Sequence, residues 1–377
     1  MSVSLKIFLT ADVHLGMKFA SYEDVRVELA KARHEALDRC IRCANEEACD
    51  LLVVAGDLFE RTNVSRETVH SAVDSLSRFE GRAALVLPGN HDFYLGSDSN
   101  PWRDFCLQSE VYGDRIILLC DDRVYDLHHF DLPISIFPGP CRAKHSQEHG
   151  LAWMPRKDQG WLPDDDSVRI GVAHGSIEGI SPDYEGRYYP MTRPELETFA
   201  VDFWLIGHTH RRYPQDNGSG NQTLFIPGIP EPDGFHCGHA GSALVIEVED
   251  HRVVRHRHAD TGTYRFVDIS GDYSSISGIE SDVHSYALKN ILLRIIARGT
   301  LSREEHGELA GFIKDLQPKV FFLKTDFSDL GELVDMDLVN EEFTTGSFPH
   351  RLLSTLLARG DRQGAQIAYQ LVQSARP

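Results

Sequence analysis

Five short motifs carry the side chains best suited to chemistry: Asp12-Val13-His14, Gly56-Asp57, Gly89-Asn90-His91-Asp92, His174-Gly175 and Gly207-His208-Thr209-His210. Together they supply carboxylates, one amide and several imidazoles, all oxygen or nitrogen donors with no thiolate among them. Such a set suits Mn²⁺, Fe or Zn²⁺ and argues against an Fe–S cluster or a closed thiolate zinc site. Asp12, His14, Asp57 and His210 can serve one ion, and Asp57, Asn90, His174 and His208 a second. Asp57 bridges the two, because a carboxylate has two oxygens to share. Two ions ~3.5–4 Å apart would deprotonate a water near neutral pH and stabilise charge as it attacks phosphorus in line. His91 is not needed as a ligand and sits beside Asn90, where it can protonate the leaving oxygen as a general acid.

Positioning these groups falls to short apolar strands, each ending at a motif. Strand candidates are Leu5–Ala11, Leu51–Ala55, Ala83–Leu87, Ile116–Leu119, Ile134–Phe137, Val168–Ala173, Phe203–Ile206, Leu224–Ile226 and Ala243–Val248. Helical spacing over Val25–Ala48 and Val64–Phe79 separates the first three, the βαβ signature of a layered α/β domain. The later strands are expected to be more antiparallel, with Asn217-Gly218-Ser219-Gly220 as a turn between two of them. In α/β sheets ligands gather at the carboxyl ends of the strands, so five motifs at five strand ends converge on one site. Glycine before Asp57, Asn90 and His208 allows the close backbone approach that such crowding needs.

These motifs, in this order, resemble the calcineurin-like metallophosphoesterase superfamily. The fuller strings Asp12-Val13-His14-Leu15-Gly16 and Gly56-Asp57-Leu58-Phe59-Glu60-Arg61 are similar to its SbcD-type DNA repair exonuclease branch. The resemblance implies a four-layer α/β sandwich, two central mixed β-sheets flanked by helices, with a smaller α+β capping domain. It implies the seven metal ligands named above, His91 as the catalytic histidine, Glu60 as a group orienting that histidine, and Arg61 as a phosphate-gripping residue. It further implies two divalent ions, Mn²⁺ foremost with Fe or Zn²⁺ possible, a DNA substrate, and an SbcC-like coiled-coil ATPase as partner. Phe93-Tyr94, after Asp92, is bulkier than the nuclease branch leads one to expect.

The phosphoesterase domain is expected over residues 1–260, followed by an α+β unit over 261–345. That unit holds a strand candidate at Ile291–Ala297, a helix at Ser302–Leu316 with a Ser302/Glu305 capping box, and a strand at Lys319–Leu323. Residues 346–377 read as a helical hairpin, with Leu352, Leu353, Leu356 and Leu357 on one helix and Ile367, Ala368, Leu371 and Val372 on the next. Gly360 and Asp361 stop the first and cap the second. The hairpin packs on the chain's own second domain or, alternatively, docks a partner helix.

Charge and composition narrow the function. With 38 Lys+Arg against 57 Asp+Glu, the net charge of −19 excludes a uniformly basic nucleic-acid binder or a polybasic membrane-surface protein. A polyanionic substrate must be held locally, and two divalent ions would make a cationic pocket in an acidic protein. The absence of a P-loop string excludes nucleotide hydrolysis by that route. No apolar run approaches a membrane span, and seven scattered cysteines fit a reducing cytoplasm better than a disulfide framework. Cys40 and Cys43 form a C-x-x-C in a helical pattern and are read as core. His145-Ser146-Gln147-Glu148-His149 matches a zinc-protease string, but Gly150 and Pro155 cut the required helix short. Asp164-Asp165-Asp166, His128-His129, His256 and His258 are read as solvated or structural positions, and so are His236 and His239, with bordering the pocket as their lesser alternative.

The reading is therefore a two-metal phosphodiesterase, foremost a DNA exonuclease or endonuclease in end processing and repair. A small-molecule phosphodiesterase or phosphatase, for a cyclic nucleotide for example, is the alternative, and a binding subunit recruited through the hairpin is a third. Monomer and homodimer are both compatible with the sequence.

Overall fold

Strands that are apolar at nearly every position must be covered on both faces, and that requirement generates the layers. The computed structural model describes residues 4–375 apart from 160–165, 182, 184 and 221. The chain divides into two units, Met1–Phe266 and Val267–Pro377. In chain order the first unit holds β1 (Ser4–Thr10), α1 (Arg26–Glu46), β2 (Leu51–Ala55), α2 (Arg66–Ser77), β3 (Ala83–Leu87), α3 (Trp102–Ser109), β4 (Ile116–Leu118) and β5 (Tyr125–Asp126). It continues through β6 (Ile134–Gly139), β7 (Val168–His174), α4 (Arg193–Leu196), β8 (Phe203–Gly207), β9 (Arg212–Tyr213), β10 (Gly218–Ser219), β11 (Leu224–Pro227), β12 (Ala243–Glu249) and β13 (Arg252–Ala259).

Two mixed sheets result, with orders β10-β13-β12-β1-β2-β3-β4 and β5-β6-β7-β8-β11-β9. Alternate residues of each strand serve different layers. Ile7 and Leu9 of β1, Val53 of β2 and Leu85 of β3 meet Ile136, Ile170, Val172 and Leu205 between the sheets. Phe8, Leu52, Val54 and Val86 face the other way, against Leu37, Ile41, Val73 and Phe105 of α1 to α3. Trp204 and Ile206 on the far face of β8 are covered by Leu151, Met154, Met191, Leu196 and Phe199. That fourth layer is built from two long connections and the short α4. Cys40 of α1, expected in the core, is fully buried against the first sheet, and burial pushes its thiol up to about 12. All seven cysteines are free.

The second sheet departs from expectation. β6, β7, β8 and β11 pair parallel, and only the short β5 and β9 run antiparallel to their neighbours. The long excursions between β6 and β7 and between β7 and β8 are crossovers, which return the chain in the same direction. Gly218 and Ser219, expected in a turn, pair instead with His256 and Arg255 of β13. Parallel pairing brings the carboxyl ends of β1, β2, β3, β7 and β8 to one edge of the sandwich.

In the second unit, β14 (Arg265–Tyr273), α5 (Ile276–His284), β15 (Ile291–Leu301), α6 (Arg303–Leu316) and β16 (Phe322–Glu332) build a three-stranded sheet with helices. The Ser302/Glu305 capping box is present at α6. The expected strand at Lys319–Leu323 starts later, because Pro318 shapes a single turn of 3₁₀ helix over Gln317–Lys319 first. α7 (Met336–Glu342), α8 (Phe348–Ala358) and α9 (Arg362–Ser374) follow. Gly360 takes φ +75° between α8 and α9, and Asp361 caps α9 by accepting from Gly364 N. Leu353, Leu357, Ala368 and Val372 pack with Leu338 and Val339 of α7, whereas Ile367 and Leu371 stay exposed. Among the described residues no helix is long and apolar enough to cross a membrane.

Leu205 is fully buried between the sheets, so Leu205→Ala should lower the unfolding free energy by about 2–5 kcal/mol. A urea midpoint unchanged from wild type would contradict this packing.

Candidate active site

The loops after β1 and β2 run side by side because their strands pair parallel. Asp12 N donates to Gly56 O (3.0 Å), His14 N to Asp57 O (3.0 Å) and Leu15 N to Leu58 O (2.9 Å). Asp12, His14 and Asp57 all adopt left-handed backbone, with φ of 56°, 51° and 53°. That conformation costs an L residue roughly 1–2 kcal/mol and turns each side chain back over the strand ends. Gly56 precedes Asp57 because a Cβ there would lie 2.0 Å from His174 Nδ1. At Gly89 a Cβ would fall 2.2 Å from Asp57 Oδ1, so the loop after β3 can approach the Asp57 carboxylate only without a side chain.

Two donor groups form at this edge. Asp12, His14 and His210 make one, Asp57, His174 and His208 the other. In the first, His14 Nε2 faces His210 Nε2 at 3.3 Å; His210 Nε2 is 3.9 Å from Asp12 Oδ1, and His14 Nε2 is 3.8 Å from Asp57 Oδ2. In the second, Asn90 Oδ1 lies 3.1 Å from His174 Nε2 and 3.0 Å from His208 Nδ1, while Asp57 Oδ2 is 3.2 Å from His174 Nε2. All seven expected ligand residues are thus brought together, with Asp57 within reach of both groups. Two carboxylates, essentially inaccessible to water, have only histidines as ion-pair partners among the described residues. An uncompensated buried charge is costly, so the site fits cations, and its nitrogen and oxygen donors could hold two divalent ions.

Two of these rings, those of His174 and His210, are held from outside through their second nitrogen, and the backbone of His208 is tied to Asp12. His174 Nδ1 donates to Ala55 O across the two sheets (2.9 Å), leaving Nε2 as the free electron pair. His208 N donates to both Asp12 oxygens (3.1 and 3.0 Å). His210 Nδ1 is 3.3 Å from Asp233 Oδ2, a carboxylate–histidine arrangement that fixes ring and tautomer. Asp233 carried no sequence signal, because its loop after β11 follows none of the five motifs. Glu60 divides its contacts between two histidines. Its backbone carbonyl lies 3.1 Å from His91 Nδ1, but its carboxylate lies 3.2 Å from His14 Nδ1 and 4.0 Å from His91 Nδ1. Asp92 fastens two loops by accepting from Gly89 N (2.7 Å) and Phe59 N (2.9 Å).

The field in the site is strongly negative. Burial alone would lower His174, yet Asp57 and Asp12 raise it to about 9. Burial likewise pushes Asp57 up, but His174, His14 and His91 hold it well below the usual carboxylate range. A proton on His174 answers the same field a cation would, and metal binding must displace it. His208 is the opposite case, lowered to about 3 by burial and by His174, and so neutral and able to donate electrons at pH 7. Burial also lowers His91.

A cleft of about 310 Å³ opens over the site, lined by Asp57, His91, His208 and His210, together with Tyr188, Thr209, Arg211 and His236 among others. Tyr188 leans on His208 at 5.0 Å between ring centroids. Arg61 is exposed and is not among the lining residues, nor are Phe93 and Tyr94; the arginine at the cleft is Arg211. Tyr94 packs instead against the helix-side core. His236 borders the cleft, and His239 Nε2 reaches His210 O at 3.0 Å. The protease-like string is not helical, and His149 pairs with Glu195 at 2.9 Å. His128 contacts Asp126 and Ser167, and His256 and His258 meet the carbonyls of Asp216 and Pro214. Asp164 and Asp165 lie outside the described residues, and Asp166 is exposed.

Removing Asp92 strands two buried amides, each worth about 1–3 kcal/mol. Asp92→Ala should therefore unfold at a markedly lower temperature than wild type; an unchanged melting curve would mean that this carboxylate does not hold the loops.

Comparison with known proteins agrees with the geometry. The calcineurin-like phosphoesterase family model matches residues 5–212, more than half the chain and inclusive of all five motifs. The chain is 25% identical over 329 residues to the DNA double-strand break repair protein Mre11 of Methanopyrus kandleri, covering 79% of this chain and 66% of that one. It is also 25% identical over 224 residues to the uncharacterized metallophosphoesterase YhaO of Bacillus subtilis, covering 56% and 50%. A second Mre11, from Archaeoglobus fulgidus, is 24% identical over 266 residues, covering 67% and 53%. The chain thus spans between half and just under two thirds of the length of these relatives. On the strength of the family match and of the site it encloses, the chain belongs to the calcineurin-like phosphoesterases, a family of phosphoester hydrolases.

Proposed function

We propose that the chain is a two-metal phosphodiesterase acting on DNA ends, of the SbcD type and with Mn²⁺ as its metal. In this reading Asp12, His14, Asp57 and His210 hold one ion, and Asp57, Asn90, His174 and His208 the second. Ions bound there supply a nucleophile from water at neutral pH and charge stabilisation on the phosphoryl oxygens. His91 reaches the cleft from above His14, with ring centroids 4.7 Å apart. Its Nδ1–H is given to Glu60 O, so Nε2 is the nitrogen left to face the leaving oxygen, and it must take up a proton before it can act as the general acid. Glu60 positions both His91, through its carbonyl, and His14, through its carboxylate. Arg61 is then a contact for substrate reaching beyond the cleft, and Arg211 one within it.

The observation that carries the DNA assignment is the likeness to two Mre11 proteins, which in the first case runs over 79% of the chain and so beyond the phosphoesterase match. An SbcC-like coiled-coil ATPase is the proposed partner, with the exposed side of the α8–α9 hairpin as its contact, and the cytoplasm is the proposed location. The second reading keeps the chemistry and exchanges the substrate for a small phosphodiester. The net charge of −19 and a cleft of about 310 Å³ favour it.

Hydrolysis of bis-p-nitrophenyl phosphate and of linear duplex DNA with Mn²⁺ tests both. His91→Ala should slow either reaction about 10²–10⁴-fold, and a rate equal to wild type would remove His91 from the mechanism. DNA binding should weaken steeply with salt if several phosphates are gripped; cleavage of the small diester alone, with or without an ATPase partner, would move the assignment to the second reading. Chelation should also lower the melting temperature, since ligand at about 100 times its Kd contributes about 2.7 kcal/mol. A melting temperature indifferent to chelator would contradict ion binding by the buried carboxylates.

A further inference from the structure

Behind His210 lies a second cluster with different chemistry. Asp233, His236 and Cys237 follow β11 on one loop and face the nitrogen of His210 that points away from Asp12. His210 Nδ1 is 3.3 Å from Asp233 Oδ2 and 3.5 Å from His236 Nε2. Asp233 Oδ1 is 3.2 Å from His236 Nε2 and 3.1 Å from Cys237 Sγ. Four ligand atoms, one from each residue, lie within 4.8 Å of one another. A tetrahedral ion with Zn–N and Zn–O near 2.0 Å and Zn–S near 2.3 Å sets its ligand atoms roughly 3.3–3.5 Å apart, and the contacts above, which use both oxygens of Asp233, are near that spacing. Access is open, because the His236 side chain is 64% exposed and lines the cleft.

The donor set decides the kind of ion. Asp12, His14, Asp57, Asn90, His174 and His208 offer only nitrogen and oxygen, whereas this cluster adds a thiol, which favours Zn²⁺, Co²⁺ or Cd²⁺ over Mn²⁺. We propose that His210 Nδ1, Asp233, His236 and Cys237 form a third cation site, selective for a thiophilic ion, that shares the His210 ring with the neighbouring centre. The shared ring rests on the proposed role of His210 Nε2 in that centre. Loading releases the Cys237 thiol proton and the proton His210 Nδ1 otherwise gives to Asp233, so both ring nitrogens then bind ions. The third ion therefore shares a ligand with the first, and loading it changes the donor strength of the His210 ring.

Cobalt separates the possibilities, since a thiolate bound to Co²⁺ gives a near-ultraviolet charge-transfer band that nitrogen and oxygen ligands do not. Metal-free protein equilibrated with Co²⁺ should bind three equivalents by elemental analysis and show the band; Cys237→Ala should bind two and lose it. His236→Ala, at an exposed position, should also bind two equivalents and decides the matter if Cys237→Ala misfolds. Two equivalents with no band in wild type, or a band that survives Cys237→Ala, would overturn the proposal. A band with a single equivalent would sustain this site and instead remove the two-ion centre beside it.

Discussion

Asp12 and Asp57 are buried carboxylates without a lysine or arginine to answer them among the described residues, and the rest of the active edge is arranged around that constraint. Their ion-pair partners are imidazoles, which are charged only when they take up protons. The negative field accordingly drives His174 far above its ordinary value. A protein that builds such a field at a strand edge, instead of neutralising it with a guanidinium, is prepared for metal ions. Backbone follows the same logic: three consecutive-loop residues accept left-handed φ, and glycines clear the space in which loops from both sheets meet.

The histidines show how the surroundings assign one ring type several tasks. His174 has its tautomer set by a carbonyl of the opposite sheet. His208 is kept neutral by burial, and His210 is braced by a carboxylate. His91 is held through the backbone of Glu60 and reaches the cleft. Outer contacts therefore differentiate the rings as much as the proposed ligand assignment does. They also give His210 a second face, where Cys237 makes the chemistry softer than on the first.

Much of this was legible in the sequence because strand ends are. Short apolar runs followed by Asp, His or Gly-Asn-His announce both the sheet and the edge it presents, and the family match covers all five. What escaped reading lacked that link. Asp233 lies on a loop tied to no motif, and its partnership with His210 exists only after β8 and β11 pair. The divided contacts of Glu60 depend on which atom points where, which spacing does not encode. Arg61 is adjacent to Glu60 in sequence yet turns to solvent, while Arg211 is brought to the cleft by the chain leaving β8. β13 and β14 alternate polar with apolar residues and offered no continuous apolar run to notice. The parallel course of the second sheet was hidden in long connections whose length, more than their composition, marks a crossover.

The central claim is that one carboxylate, Asp57, joins two ions at the meeting of the two sheets. Electron paramagnetic resonance of the Mn²⁺-saturated protein tests it most directly. Two ions sharing a bridging ligand should give the broad, exchange-coupled spectrum of a dinuclear centre, and Asp57→Asn should abolish that coupling. A saturated sample showing only the six-line signal of isolated Mn²⁺ would contradict the account.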